Sequence, residues 1–175
     1  MGAPTERCCG VRRIVSDTGP LLHLYEAACL ALLEHAGTVT VPQVVDSELV
    51  QHVREWHTRK PPWITVTAVI APYDVQATGW QQSGLLETGE AETIALALQL
   101  SATWLLTDDT AARVFATALG FEVHGALGIV LWAAARGHLS REESAAALDR
   151  LAHSTLWISA RVLAEARTAL DRLFP

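Results

Sequence analysis

The sequence lacks most of the marks that assign a protein to a class at sight. Its three cysteines, Cys8, Cys9 and Cys29, are an odd number without CxxC spacing, which argues against a disulfide framework and a cysteine-ligated zinc site, so they are expected to be reduced. Half of the residues are hydrophobic and mean hydropathy is +0.23. Even so, the longest apolar run, Ala126 to Ala135, is about half of the roughly 20 residues that a membrane helix needs, and no membrane span is expected. The first ten residues, MGAPTERCCG, have no apolar stretch of the secretory kind, which makes the cytoplasm the expected compartment. There is no GxxxxGK[ST] phosphate loop and no GxSxG elbow, so nucleoside-triphosphate hydrolysis and serine hydrolysis lose their usual signatures. An excess of positive charge is missing too. The net charge of -6 at pH 7 argues against a broad electrostatic grip on nucleic acid, while a local one stays open through Arg7, Arg12 and Arg13 or through Arg54, Arg59 and Lys60. Each of these clusters reads first as ordinary solvated surface.

What is present is an alternation of strand-like and helix-like segments. A chain of 175 residues suits one domain that buries about two thirds of its unfolded surface. Residues 1–11 are expected to be a flexible terminus, and the part from about 126 to 175 is expected to be helical. Arg12 to Asp17 reads as a first strand, followed by a helical region from Gly19 to Ala28 that breaks near Cys29 and runs on to Glu34. Thr38 to Val41 is a second strand stopped by Pro42, a residue suited to a helix start. Gln43 to His57 then carries helical spacing, with Val45, Leu49, Val53 and Trp56 as its buried stripe. Trp63 to Thr67 reads as a third strand and Pro72 to Gln82 as a weaker helix ending at Gly84. Thr88 can cap a helix through "GEAETIALALQL", after which Thr103 to Leu106 is a fourth strand, Asp109 to Ala118 a helix and Phe121 to His124 a fifth strand. Three helical segments complete the chain. Such alternation implies an α/β fold whose mainly parallel sheet is covered on both faces, because parallel strands need crossover helices.

In open parallel sheets, ligands bind beyond the carboxyl ends of the strands. Asp17 stands at one such end, and Asp108 and Asp109 stand at another, directly after Thr107. Singly, each has a local explanation: Asp17 or Asp108 as a helix cap, Asp109 paired with Arg113 one turn on. If the first and fourth strands are neighbours these acids converge, and together they would repel one another unless a cation or raised pKa values relieved the charge. Helical geometry adds Glu48, about 60° from the Val45 stripe at 100° per residue, with Asp46 pointing farther off. Glu90 and Glu92 flank the Ala91, Ala95, Leu98 stripe on opposite sides, so one can enter the crevice while the other faces solvent, or both serve as first-turn charges. An all-oxygen set suits Mg²⁺ or Mn²⁺, which can activate water and stabilise the oxyanions of a phosphodiester displacement. No Cys/His set competes. His23, in an apolar stretch, and His52, on the buried side of its helix, are read as packed or hydrogen-bonded.

The segments "IVSDTGPLLHL", "VPQVVDSELV" and "GEAETIALALQLSATWLLTDD", in that order and spacing, resemble the PIN domain, a metal-dependent nuclease fold whose bacterial members include the VapC-type toxins of toxin–antitoxin pairs. The later "ARVFATALGFEVHGALGIVLWAAARGHLS" and "ALDRLAHSTLWISARVLAEARTAL" resemble a PIN-like subgroup with the same GxxG and C-terminal helices. The resemblance runs over nearly the whole chain from Arg12. It implies a three-layer α/β/α fold with strand order 3-2-1-4-5 plus C-terminal helices, and an acidic Mg²⁺ or Mn²⁺ site that cuts RNA. Carried over, the catalytic acids fall on Asp17, Glu48, Glu92 and Asp109, with Asp108 and Glu90 as close alternates. Asp17, Asp109, Glu92 and Asp108 are the implied metal ligands, supported by Thr18, Thr107 and Glu90. One departure is Glu92, where many family nucleases carry aspartate, and the longer side chain should shift the metal or hold it through water. The implied partners are RNA, a small antitoxin protein and a second copy of the chain. A competing reading is a protein-binding module with weak or no catalysis, motivated by Trp80, Trp132 and Trp157. A haloacid-dehalogenase-like phosphatase would want Asp-x-Asp at the first strand end, and Gly19 stands at the second position.

Overall fold

The computed structural model describes residues 11–174; Arg7, Cys8, Cys9 and most of the expected flexible terminus lie outside the described residues. Runs of β-branched and apolar residues form the strands β1 (Arg13–Ser16), β2 (Thr38–Pro42), β3 (Ile64–Thr67), β4 (Trp104–Leu106) and β5 (Glu122–His124). They make one sheet in the order β3-β2-β1-β4-β5, and every pairing is parallel. The connections are α1 (Thr18–Glu26), α2 (Leu32–Ala36), α3 (Gln43–His52), α4 (Trp56–Arg59), α5 (Tyr73–Gln82), α6 (Thr88–Gln99) and α7 (Thr110–Ala118), and the chain ends in α8 (Ala126–Ala135), α9 (Arg141–Ala152) and α10 (Ala160–Leu173).

Alternation along the strands sorts the core into two faces. Ile14, Val39, Val41, Trp104 and Leu106 point to one side, where α1, α2, α3 and the C-terminal helices α8 to α10 cover them. Val15 and Leu105 point to the other, under α5, α6 and α7. The central strands β1 and β4 are therefore buried on both faces, whereas the edge strands β3 and β5 keep exposed and half-buried residues. The architecture is the three-layer α/β/α sandwich, with a sheet that is parallel throughout. No helix among the described residues is long and apolar enough to cross a membrane.

Three local expectations need correction. The helix starting at Gln43 ends at His52, where Val53 turns extended with φ -117° and ψ 98°. Val45, Leu49, Val53 and Trp56 are all buried, so the stripe was real, but two helices share it. The Trp56 indole and the Lys60 ammonium both donate to Asp46 Oδ1, at 2.9 and 3.0 Å, and this knot holds α4 against α3. His52 is exposed rather than buried. Thr88 does not cap α6: Glu87 is the cap residue, and its backbone N–H donates to Glu90 Oε2 at 2.9 Å.

Register positions the strand ends. Ser16 stands beside Leu106, and the Asp17 N–H continues the ladder onto the Leu106 carbonyl at 2.9 Å. The other end of the sheet is set by Gly37, whose place before β2 lets Thr38 N–H reach the Arg12 carbonyl at 2.9 Å. A Cβ on Gly37 would lie 2.1 Å from that carbonyl oxygen, whereas one on Gly79, in the exposed middle of α5, would meet nothing within 4 Å. Gly37→Ala is accordingly expected to lower the melting temperature by about 4–10 °C through forced displacement of β2. Gly79→Ala should raise it by about 2 °C through helix propensity. Thermal unfolding followed by circular dichroism checks both, and equal shifts would refute the steric account.

Candidate functional site

The carboxyl ends of β1 and β4 are adjacent, and the residues just past each strand build the site. After β1 the chain turns through Asp17-Thr18-Gly19-Pro20 directly into α1. Asp17 occupies the cap position yet makes no side-chain cap hydrogen bond, so its carboxylate is left for the crevice. Thr107, buried after β4, donates its hydroxyl to Asp17 Oδ2 at 3.4 Å and accepts the Asp109 N–H at 3.2 Å. One hydroxyl thus joins the two strand-end acids.

Glu48 arrives from α3. Its Oε2 accepts a short hydrogen bond from the Thr18 hydroxyl, and its carboxylate lies against the first turn of α6 at Gly89. A Cβ there would sit 3.1 and 3.2 Å from the two Glu48 oxygens, tighter than comfortable contact. The glycine of "GEAE" is therefore a matter of room for Glu48, a role that the sequence reading missed although an isolated glycine in a helical run is the usual sign of close approach.

Glu90 comes next on the same turn and faces the crevice. Its pKa is raised first by burial, then by the Asp109 carboxylate beside it. Asp109 is exposed at the mouth; its Oδ1 caps α7 by accepting from Ala112 N at 2.8 Å, which leaves the second oxygen unclaimed by the helix. Asp17 feels both Glu90 and Glu48. Asp17, Glu48, Glu90 and Asp109 therefore share one crevice around the hydroxyls of Thr18 and Thr107. Glu92 is half-buried on the far side of Glu48, where it lines a cavity of about 170 Å³ with Gln43, Asp74 and Gln81. Burial, and then Glu48, raise its pKa.

Asp108 is turned away from its neighbour. Oδ2 meets His23 Nδ1 at 2.7 Å and Oδ1 accepts the Ala126 N–H at 2.8 Å, so this acid ties α1 to the start of α8. Gly125 makes the approach possible, since a Cβ there would be 2.4 Å from Asp108 Oδ1. Arg113 does not pair with Asp109 as its spacing suggested; it donates to the carbonyls of Thr107 at 3.0 Å and Val123 at 3.3 Å.

The remaining candidates lie elsewhere. Arg12 stacks on Trp104 at 3.9 Å and donates to the Ala36 carbonyl at 2.8 Å, at the opposite end of the sheet from the acids. Arg59 pairs with Glu55 and Lys60 with Asp46. Trp80 packs edge-on against Phe115 and Trp132 against Trp104, while Trp157 is 85% exposed.

The crevice is electrostatically unfinished. Burial, with Glu90 and Glu48 adding to it, pushes the Asp17 pKa up to about 7, against an ordinary aspartate value near 3.9. Among the described residues no three potential ligands already stand close enough together to cage a metal ion. The donor chemistry nevertheless fits a hard divalent cation, because Mg²⁺ keeps several waters and needs only one or two direct carboxylates. A cation would offset the burial, and the repulsion added to it, that hold Asp17 partly protonated.

That strain has a measurable sign. An aspartate whose folded pKa is raised favours the fold fully below about pH 4, and that contribution is lost as pH climbs through about 7. In chelator, Asp17→Asn should therefore gain on wild type over this window, by on the order of 2–4 kcal/mol at pH 8. Denaturant unfolding at pH 4.5 and 8 measures the difference, and a gap that does not change with pH would overturn it.

The family model of the PIN domain matches residues 13–172. No curated protein matches the chain significantly. PIN domains are generally nucleases that typically use divalent metal ions. The match extends from the first strand into the last helix, and the fold has the parallel order 3-2-1-4-5: the chain belongs to the PIN-domain family.

Proposed function

We propose that the protein is a Mg²⁺- or Mn²⁺-dependent ribonuclease that hydrolyses RNA phosphodiester bonds. The observation that carries this reading is the gathering of Asp17, Glu48 and Glu90 in one crevice, where burial first, and then the two neighbouring carboxylates, push Asp17 to a pKa of about 7. Asp17 and Asp109, from neighbouring strand ends, would hold the ion, with Glu90 between them. Glu92 and Asp108 are less well oriented for that part, since Glu92 stands beyond Glu48 and both oxygens of Asp108 are engaged. A bound divalent ion would polarise a phosphoryl oxygen and stabilise developing charge.

The protein's own groups divide the remaining work. Glu48, fixed by the Thr18 hydroxyl, is placed to accept a proton from the attacking water. Thr107 orients Asp17, and the capped Asp109 keeps one direction without a ligand to hold it. The water oxygen forms a bond to phosphorus, the bridging P–O bond breaks, and the leaving oxygen takes up a proton. RNA as the substrate, the toxin role in a toxin–antitoxin pair, the small protein partner and the homodimer rest on the family resemblance.

Cleavage of structured RNA in Mg²⁺ should fall by about 100-fold or more in Asp17→Asn. Equal cleavage by the two proteins would sink the reading, because the activity would then be a contaminant's. Gly89→Ala should also reduce cleavage while leaving the circular dichroism spectrum unchanged, since the added methyl displaces the Glu48 carboxylate. Full activity in that variant would remove Glu48 from the mechanism.

A further inference from the structure

Beside the carboxylate crevice lies a second hollow of about 390 Å³, lined by Asp108, Thr110, Arg113, Leu127, Leu156 and Trp157 among others. Its volume falls near the lower end of the ~300–1,000 Å³ typical of ligand clefts. Continuity with the crevice comes from sequence, since Asp108 and Thr110 flank Asp109 on either side. Three features of its wall are unexplained by the fold. The Trp157 ring is 85% exposed, an unusual state for so large an apolar surface. The backbone beneath it is fixed: Thr155 donates through both its N–H and its hydroxyl to Glu26 Oε2 at 2.8 Å, and Leu156 N–H donates to Ser154 Oγ at 3.2 Å. Ser159 Oγ then caps α10 by accepting from Val162 N at 3.2 Å. The indole is thus presented by a pinned loop.

The second feature is Arg113. It is half-buried, its guanidinium is held by two backbone carbonyls, and it has no carboxylate partner among the described residues. The third is Gly125. A Cβ at this position would lie 2.9 Å from Arg113 Nη2, so the glycine is what brings the guanidinium and Asp108 side by side. Asp108 lowers the positive potential of this wall, but its oxygens bond to His23 and the Ala126 N–H rather than to Arg113, so the guanidinium N–H groups not held by the two carbonyls remain available to a phosphate.

An exposed aromatic lining the same hollow as a guanidinium that makes no salt bridge among the described residues, adjoining acids that would handle a phosphodiester, matches the chemistry of a nucleotide with an unstacked base. We propose that Trp157 is a stacking platform for a base of single-stranded RNA, with Arg113 facing the neighbouring phosphate. This inference rests on the ribonuclease reading of the adjacent crevice and adds to it a base-stacking site outside the acids. In a duplex each base face is already covered by its neighbours, so the platform selects loops, bulges and single strands. A protein segment in the same hollow is the competing occupant, and the test separates the two.

Binding of a fluorescein-labelled 12-nucleotide single-stranded RNA is measured by anisotropy in the full-length Asp17→Asn background, so that nothing is cut. Trp157→Ala is expected to weaken binding about 10-fold and Trp157→Phe about threefold or less. An oligonucleotide of the same length with abasic positions throughout should bind equally to the parent and to the Trp157→Ala variant. Affinity for single-stranded RNA within twofold of the parent in Trp157→Ala overturns the proposal. So does a change in oligomeric mass by light scattering without a change in RNA affinity, which would make the ring a protein contact. With Asp17 intact, Trp157→Ala should raise KM and leave kcat within about twofold. Asp17-dependent cleavage with unaltered KM removes the platform and leaves the nuclease standing; absence of both Asp17-dependent cleavage and oligonucleotide binding removes both.

Discussion

Like charges held together in a poorly solvated place are the constraint around which this molecule is arranged. Asp17 cannot leave the end of β1, because its own N–H is a rung of the ladder to Leu106. Glu48 is fixed from α3 by Thr18, and Glu90 comes with the first turn of α6, where Gly89 leaves room for the Glu48 carboxylate. Hydrogen bonds from the Thr18 and Thr107 hydroxyls and from the Thr18, Glu87 and Ala112 backbone N–H groups soften the repulsion without neutralising it. A fold optimised only for stability would fill such a crevice with apolar side chains, since buried charges without partners are costly. Its persistence points to chemistry that needs anionic oxygens, and family membership supplies the context in which such oxygens handle a metal and a phosphodiester.

Much of the architecture was legible because the relevant signals are local. Short β-branched runs, each with a helical period after it, dictate crossovers, and crossovers dictate a parallel sheet, so the placement of the strand-end acids could be read from the residues alone. The limits of α3 could not. Val53 and Trp56 prolong the apolar period of Val45 and Leu49, but periodicity reports burial and not backbone continuity; the Asp46–Trp56–Lys60 knot that folds α4 back is a tertiary contact.

The site divides along the same line. Asp17, and the Asp108–Asp109 pair taken together, were readable as strand-end acids from the order of the elements. Glu90 and Glu92 were readable as a pair on opposite flanks of one helix, yet which flank faces the crevice depends on how α6 lies across the sheet. Asp108 and Asp109 are chemically identical and adjacent, and nothing in "LLTDDT" separates them. Their fates are decided by elements far apart in the chain: α7 claims one oxygen of Asp109, while His23 of α1 and the start of α8 claim Asp108.

The Asp108 tie also has a consequence for the order in which the molecule is made. Chains emerge from synthesis N-terminus first, and early segments can begin folding before later ones exist. The loop carrying Thr107, Asp108 and Asp109 is complete at residue 109, but its fastener, the Ala126 N–H, belongs to a helix synthesised afterwards. The helices that cover α1 come later still, with Arg150 reaching the Ala27 carbonyl at 2.6 Å. The Asp108 side of this loop is therefore fastened later in synthesis than the contacts that hold Asp17, Glu48 and Asp109, all of which are complete by residue 112.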